Sequence, residues 1–214
     1  MKSNKYSVDV IIPNYNKGKY LKQSIDTVLN QSFKKWKLYI IDDNSSDQSN
    51  QILKQFRNIK KIKIINLKKK RGPGNARNLG ISISKSKYIA FLDSDDLWSR
   101  NKLKDQLYFM NKYSYKISYS DYVPFKDNEE KKNKRKIKVQ PYFSYKKFIH
   151  DTSLSMSSLI IERSLTKKIK FRNLNICEDY LYKCEILKKI GKAFKCKNTM
   201  MYYRISDNSM QSNK

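Results

Sequence analysis

The chain has 214 residues, 39% of them hydrophobic, with 47 Lys and Arg against 19 Asp and Glu, a formal net charge of +28 at pH 7. That length suits one domain, read as 1–214, with enough apolar content for a core, and no apolar run approaches the ~20 residues of a transmembrane helix. The expectation is therefore a soluble or membrane-peripheral protein. Val8 to Ile12 reads as a short strand stopped by Pro13, and Asn14 to Gly18 as a turn. Tyr20, Leu21, Ser24, Ile25, Val28 and Leu29 then recur at helical spacing. A strand at 38–41, a helix at 47–56, a strand at 62–67, a helix at 75–84 and a strand at 88–92 follow. Alternation of this kind predicts an α/β fold with a Rossmann-like, mostly parallel sheet flanked by helices.

The second half is less regular, and a mixed sheet is expected there. Helices are predicted at 102–113 and 178–190, with Gly191 just past the second one. Strands are predicted at 116–123 and 157–162, and Phe194 to Ile205 contains a final strand, read at 199–204. The three cysteines, Cys177, Cys184 and Cys196, cannot all pair within the chain. No secretory signal is read at the N-terminus, so a reducing, cytoplasmic setting is expected. Cys177 and Cys184 are two helical turns apart and are expected to share a face. One His (His150) and no CxxC argue against zinc.

Carboxylates carry the chemistry. Asp42-Asp43-Asn44-Ser45 and Asp93-Ser94-Asp95-Asp96 each close an apolar strand. Such clusters are tolerable when a cation or hydrogen-bond donors sit among them, and ligands bind at strand ends in open α/β sheets. Asp93-Ser94-Asp95 suits a divalent ion that keeps substrate phosphates among its ligands; an Asp-rich turn with Asp96 capping a following helix is the plainer alternative. Asp42 and Asp43 suit either a base edge or sugar hydroxyl, or an Asx turn capped by Ser45, Ser46 or Asp47. Glu178-Asp179 opens a helix, where acids either satisfy the dipole or act as a general base. Gly72-Pro73-Gly74-Asn75-Ala76-Arg77 lacks the third glycine and one donor of a dinucleotide fingerprint.

Taken in order, these pieces resemble the family 2 glycosyltransferases of GT-A fold, of the non-processive, bacterial surface-polysaccharide type. The resemblance rests on Val10 to Asn16, Tyr20-Leu21, Ser24-Ile25, Val28 to Ser32, Ile41 to Asp47, Gly72 with Ala76 to Ile81, Tyr88 to Trp98, Glu178-Asp179 and Tyr203-Arg204. It implies a nucleotide-binding half (1–98) and an acceptor-binding half (99–214). Pro13, Asn14, Tyr15, Asp43, Arg77 and Asp93 would line the nucleotide pocket, and Asp95 would hold Mg2+ or Mn2+. Asp179 matches the catalytic base of inverting members, with Glu178 beside it. The implied partners are a nucleotide-sugar donor, UDP-linked by expectation, and a saccharide or lipid-linked acceptor. The His that many relatives carry after Tyr-Arg is not found in Ile205 to Ser209, and the Gln-x-x-Arg-Trp motif of processive members is missing, so one sugar per acceptor is expected.

The positive charge leaves other classes in view. The run Lys131 to Lys138 reads as a solvated loop first and as a membrane or acceptor contact second. A general lysine bias accounts for the charge as well as an anionic membrane surface does, and the expected location is cytoplasmic, with the inner face of the cell membrane as the peripheral option. A nucleic-acid-binding module is disfavoured by the strand–acid pattern, a nucleotidyltransferase by the sequence after the first strand. A catalytically inactive homologue is the remaining alternative.

Overall fold

The computed structural model describes residues 7–127, 135–174 and 177–205. Its first half alternates β1 (Val8–Asn14), α1 (Gly18–Leu29), β2 (Trp36–Asp42), α2 (Ser49–Lys54), β3 (Ile62–Asn66), α3 (Pro73–Ile83) and β4 (Tyr88–Phe91). These four strands are parallel, in the order β3-β2-β1-β4. The second half adds β5 (Leu97–Trp98), α4 (Lys102–Lys112), β6 (Ile117–Phe125), β7 (Tyr142–Ser144), α5 (Tyr145–His150), β8 (Ile160–Glu162), α6 (Arg163–Thr166), α7 (Glu178–Ile190) and β9 (Lys192–Arg204). It extends the same sheet: β8 is antiparallel to β4 and β6, β9 is parallel to β6, and β5 and β7 are antiparallel to β9. The sheet is thus mostly parallel on one side and mixed on the other.

The parallel strands β1, β2 and β4 are mainly apolar because helices cover both faces. Val8, Val10 and Ile12 pack with Leu21, Ile25 and Val28 of α1 and Leu103, Leu107 and Met110 of α4. On the other face Ile11, Ile89 and Phe91 meet Tyr182, Ile186 and Leu187 of α7 and Phe148 of α5. Full burial of each such side chain contributes roughly 1.5–3 kcal/mol. Helix α3 lies close against β1, since a Cβ on Gly80 would fall 2.6 Å from Ile11 Cγ2.

Several sequence-based boundaries shift. β1 does not stop at Pro13 but runs to Asn14, with Pro13 in register with Ile41. Asn14 O accepts from Asp43 N, so Pro13 faces the opposite side, where β4 has already ended and no ladder donor is needed. The strand expected at 157–162 begins with a 3₁₀ turn, Met156–Ser158, and only Ile160–Glu162 is paired as strand. β9 starts at Lys192 rather than near 199. Its pairing jumps from Ser120↔Cys196 to Asp121↔Met200, a bulge at Lys197 to Thr199 whose polar residues hide the alternation. α7 spans Glu178–Ile190 as read, and Gly191 follows with φ 79°. Cys177 and Cys184 do not share a face: Cys177 precedes the helix with φ 63° and is exposed, whereas Cys184 is buried. Residues 131–134 of the basic run and 206–209 after Tyr203-Arg204 lie outside the described residues.

Lys102 of α4 is fully buried. Its Nζ donates to Gln106 Oε1 at 3.0 Å and Ser158 O at 3.3 Å, and lies 4.4 Å from the Trp98 ring centroid. Among the described residues no carboxylate pairs with it, and burial pushes its ammonium down to about 7. No helix among the described residues is long and apolar enough to cross a membrane.

Candidate functional site

The ends of β1, β2 and β4 converge, and each acidic cluster is built into this edge differently. Asp42 is buried and saturated: Oδ1 accepts from Asn14 Nδ2 at 2.7 Å and Ser45 Oγ at 2.6 Å, and Oδ2 from Ser45 N at 3.0 Å. This knot ties β1 to β2. Asp43 is also buried, and its oxygens accept from the N–H groups of Arg71 and Gly72, both at 2.7 Å. It thereby fixes the β3–α3 loop, where Gly72 takes φ 87°. Asp47 accepts from Gly18 N at 2.8 Å and Ser49 N at 2.9 Å, serving the starts of α1 and α2 together. Burial opposes its charge, but the hydrogen bonds from Ser49 and Gly18 leave its carboxyl below the ordinary range. Pro13 and Asn14 are buried; Tyr15 is the open member of the trio, with Lys70 Nζ 4.0 Å from its ring centroid.

The second cluster separates into three roles. Asp93 Oδ1 accepts from Arg77 Nη2 at 2.7 Å, and its backbone N–H donates to Ser157 Oγ at 3.0 Å. Asp95 Oδ2 lies 2.8 Å from Lys17 Nζ. Asp96 caps no helix, since β5 follows it directly. It is buried, and accepts from Ser157 Oγ at 2.6 Å and Arg204 N at 3.0 Å. Burial pushes its carboxyl well above the ordinary range, and the charges of Asp95 and Asp93 add to that. Arg204 locks the turn further, donating to Asp95 O and Gln23 Oε1, both at 2.7 Å, and pairing with Asp127. Ser24 Oγ supports it from α1 through the carbonyls of Ser94 and Asp96.

The third acidic site comes from α7. Glu178 Oε1 accepts from Arg77 Nη1 at 2.8 Å, so one guanidinium joins α3, the end of β4 and the start of α7. Arg77 is therefore turned inward, with both terminal nitrogens committed to carboxylates. Burial disfavours its charge, but Asp93 first and Glu178 next hold it ionised. Gly74 permits the approach: a Cβ there would lie 3.0 Å from Glu178 Cγ and 3.1 Å from Arg172 O. Asp179 Oδ2 lies 2.8 Å from Lys183 Nζ. Burial raises the Asp179 carboxyl, and the Lys183 ammonium more than offsets this, leaving it below the ordinary range.

Of the residues expected at the site, Asp93, Arg77 and Glu178 are in direct contact, and Asp43 and Asn14 are engaged with neighbouring loops. Lys17, Ser157 and Lys183 are additions. Lys183 had a signal, since a cation four residues after an acid on a helix faces it; Ser157 had none. Among the described residues no three His, Cys, Asp or Glu side chains form a self-contained metal cage. Asp95 is partly exposed and pairs with Lys17, and one such carboxylate suffices for a divalent ion that takes its other ligands from water and substrate phosphates.

The Glycosyl transferase family 2 model matches residues 9–177, ending one residue before Glu178. The chain is 30% identical over 210 residues to WfgD of Escherichia coli, named a UDP-Glc:alpha-D-GlcNAc-diphosphoundecaprenol beta-1,3-glucosyltransferase, covering 98% of this chain and 81% of that one. Among solved structures, S. aureus TarS 1-349 in complex with UDP-GlcNAc superposes with a TM-score of 0.82 at 22% identity. The mannosyltransferase PcManGT of Pyrobaculum calidifontis, in complex with GDP-Man and Mn2+, superposes with a TM-score of 0.74 at 13% identity. Each alignment covers 97% of this chain, which spans only 61% and 59% of those two, and they show the shared GT-A architecture. With the family model running through both aspartate-bearing strand ends and a 30%-identical glucosyltransferase aligned along nearly the whole chain, the protein belongs to glycosyl transferase family 2 and is a glycosyltransferase.

Proposed function

We propose that the enzyme moves one sugar from a UDP-sugar to a hydroxyl of a saccharide or lipid-linked acceptor, with inversion at the anomeric carbon. The observation that carries this is the Asp93–Arg77–Glu178 bridge, which pins the Asp179-bearing turn of α7 against the end of β4. Residues 1–98 form the donor side and 99–214 the acceptor side. Pro13, Asn14 and Asp43 shape the nucleotide pocket with Tyr15 at its mouth, and Arg77 acts by holding Asp93 and Glu178 rather than by reaching the nucleotide.

Asp179 accepts the acceptor's proton as its oxygen attacks the anomeric carbon and the bond to the diphosphate breaks. A positioned base of this kind contributes about 10²–10⁴-fold. Asp95 would hold Mg2+ or Mn2+, which supplies positive charge for the leaving diphosphate when bound. Lys17, which pairs with Asp95, would add a second positive charge on the same side of the crevice. The donor class is supported by the UDP-sugar names of WfgD and the TarS complex, the metal by the Mn2+ complex of PcManGT, and the acceptor class by the name of WfgD. A lipid-linked acceptor implies work at the cytoplasmic face of the membrane, where basic residues contribute on the order of 1 kcal/mol each.

Thermal shift with UDP, GDP, CMP and dTDP, each with and without Mn2+, tests the reading. A ligand at ~100 times its Kd adds roughly 2.7 kcal/mol. Stabilisation by UDP that requires Mn2+ is expected, and a folded protein indifferent to all four nucleotides would refute the donor assignment.

A further inference from the structure

Each of the two acids that open α7 is held by its own buried cation. Glu178 has Arg77, from another element; Asp179 has Lys183, from its own helix. An i,i+4 pair on a helix surface is worth little, but this one is asymmetric. The Lys183 side chain is 8% exposed while that of Asp179 is 35% exposed. The ammonium also donates to Leu154 O at 3.0 Å. Leu154 stands just before the Met156–Ser158 turn, whose Ser157 hydroxyl contacts both Asp93 N and Asp96 Oδ2. The cation thus sits behind the carboxylate, anchored to the same segment that buttresses the second aspartate cluster.

We infer that Lys183 is a positioning residue for the transfer reaction. From behind, it fixes Oδ2 of Asp179 against Leu154 O, and leaves the second oxygen to take the acceptor's proton. This rests on the assignment of Asp179 as the base. The charged groups acting on Asp179 are Lys183 on its own helix and Arg77 from α3, with Glu178 adjoining. The neighbouring segment supplies the Leu154 carbonyl, and α5 supplies the Phe148 ring, 5.4 Å from the ammonium. The ammonium keeps the base ionised at the cost of some basicity, so its removal changes both the aim and the titration of the carboxylate.

The test is a 13C NMR titration of the side-chain carboxyls of the full chain, with the Asp179 signal assigned by Asp179→Asn, alongside kcat and KM profiles against pH with a UDP-sugar. Lys183→Met should raise the Asp179 titration by about one unit or more and move the acid limb of kcat the same way. It should also lower kcat roughly ten- to a hundredfold with little change in donor KM. Lys183→Arg should restore most of both. Should the methionine variant fail to fold, Lys183→Gln keeps a donor for Leu154 O and removes only the charge. An Asp179 signal that does not move, or wild-type kcat in the charge-free variants, would overturn the inference. The base assignment fails separately: a moved carboxyl with undiminished turnover in Asp179→Asn would uphold the pairing and dismiss the base. An unmoved carboxyl with lost turnover would do the reverse.

Discussion

Asp93 and Glu178, at the ends of β4 and the start of α7, accept from the two terminal nitrogens of one buried guanidinium, at 2.7 and 2.8 Å. The bridge joins the parallel half of the sheet to the helix bearing the proposed base. Along the sheet itself, the two halves meet through the three-residue pairing of β4 with β8.

Arg77→Leu should therefore be strongly destabilising. It leaves the nearly buried Glu178 without its cation, and breaking a buried pair in this way costs about 3–5 kcal/mol. Arg77→Lys should recover only part, because one ammonium lacks the fork that serves both carboxylates. Urea denaturation midpoints of the two variants check this, and a wild-type midpoint for Arg77→Leu would remove the bridge from the account.

Asp179→Asn should lower turnover by about 10²–10⁴-fold while the UDP-induced shift in Tm stays as in the wild type. A variant that loses both together would point to a folding defect, visible in its circular dichroism.

Asp95→Ala should remove the Mn2+ dependence of UDP stabilisation while leaving the Tm of the free protein nearly unchanged. Asp95 pairs with a partly exposed Lys17, and such pairs contribute about 0–1 kcal/mol. Isothermal titration of UDP with and without Mn2+ measures the difference.

Lys102 sets a pH dependence of stability. Burial moves its ammonium from 10.5 in the free side chain down to about 7 in the fold. Between those values the unfolded chain binds more protons than the folded one, so this group makes stability rise with pH across that window. Its penalty is complete below about pH 7 and gone above about 10.5. Lys102→Met should thus gain most over the wild type near pH 7 and below, with the gain shrinking as pH rises. Denaturation midpoints of both proteins at pH 6, 8 and 10 test it through their difference.

The parallel half was legible because each strand is an apolar run ended by an acid or a turn residue, and each helix carries a stripe at helical spacing. α7 was legible for the same reason, with Gly191 marking its end. The first half of β9 was hidden because Lys195, Lys197 and Asn198 interrupt its alternation around the bulge, and because a β6 partner 76 to 79 positions away leaves no local mark. At the site, sequence order could name Asp93, Arg77, Glu178 and Asp179, but not that Arg77 points inward. That orientation comes from two carboxylates reaching one guanidinium, Asp93 from 16 positions away and Glu178 from 101. Ser157 was invisible for a plainer reason: read as the first residue of a strand at 157–162, it lies instead in the 3₁₀ turn, and a serine there looks the same whether or not it holds two aspartates.

Arg204 N reaches Asp96 across 108 positions of sequence, and β9 lies between β6 and β5 in the sheet. During synthesis at ~5–20 residues per second, roughly 5 to 20 s separate the emergence of the two partners. Throughout that interval the nascent chain carries its aspartate turn without the strand that anchors it, while the β3-β2-β1-β4 half already has all its own strands. The Asp93–Asp96 turn is thus completed only by the last strand of the sheet, so its final geometry waits on the arrival of β9.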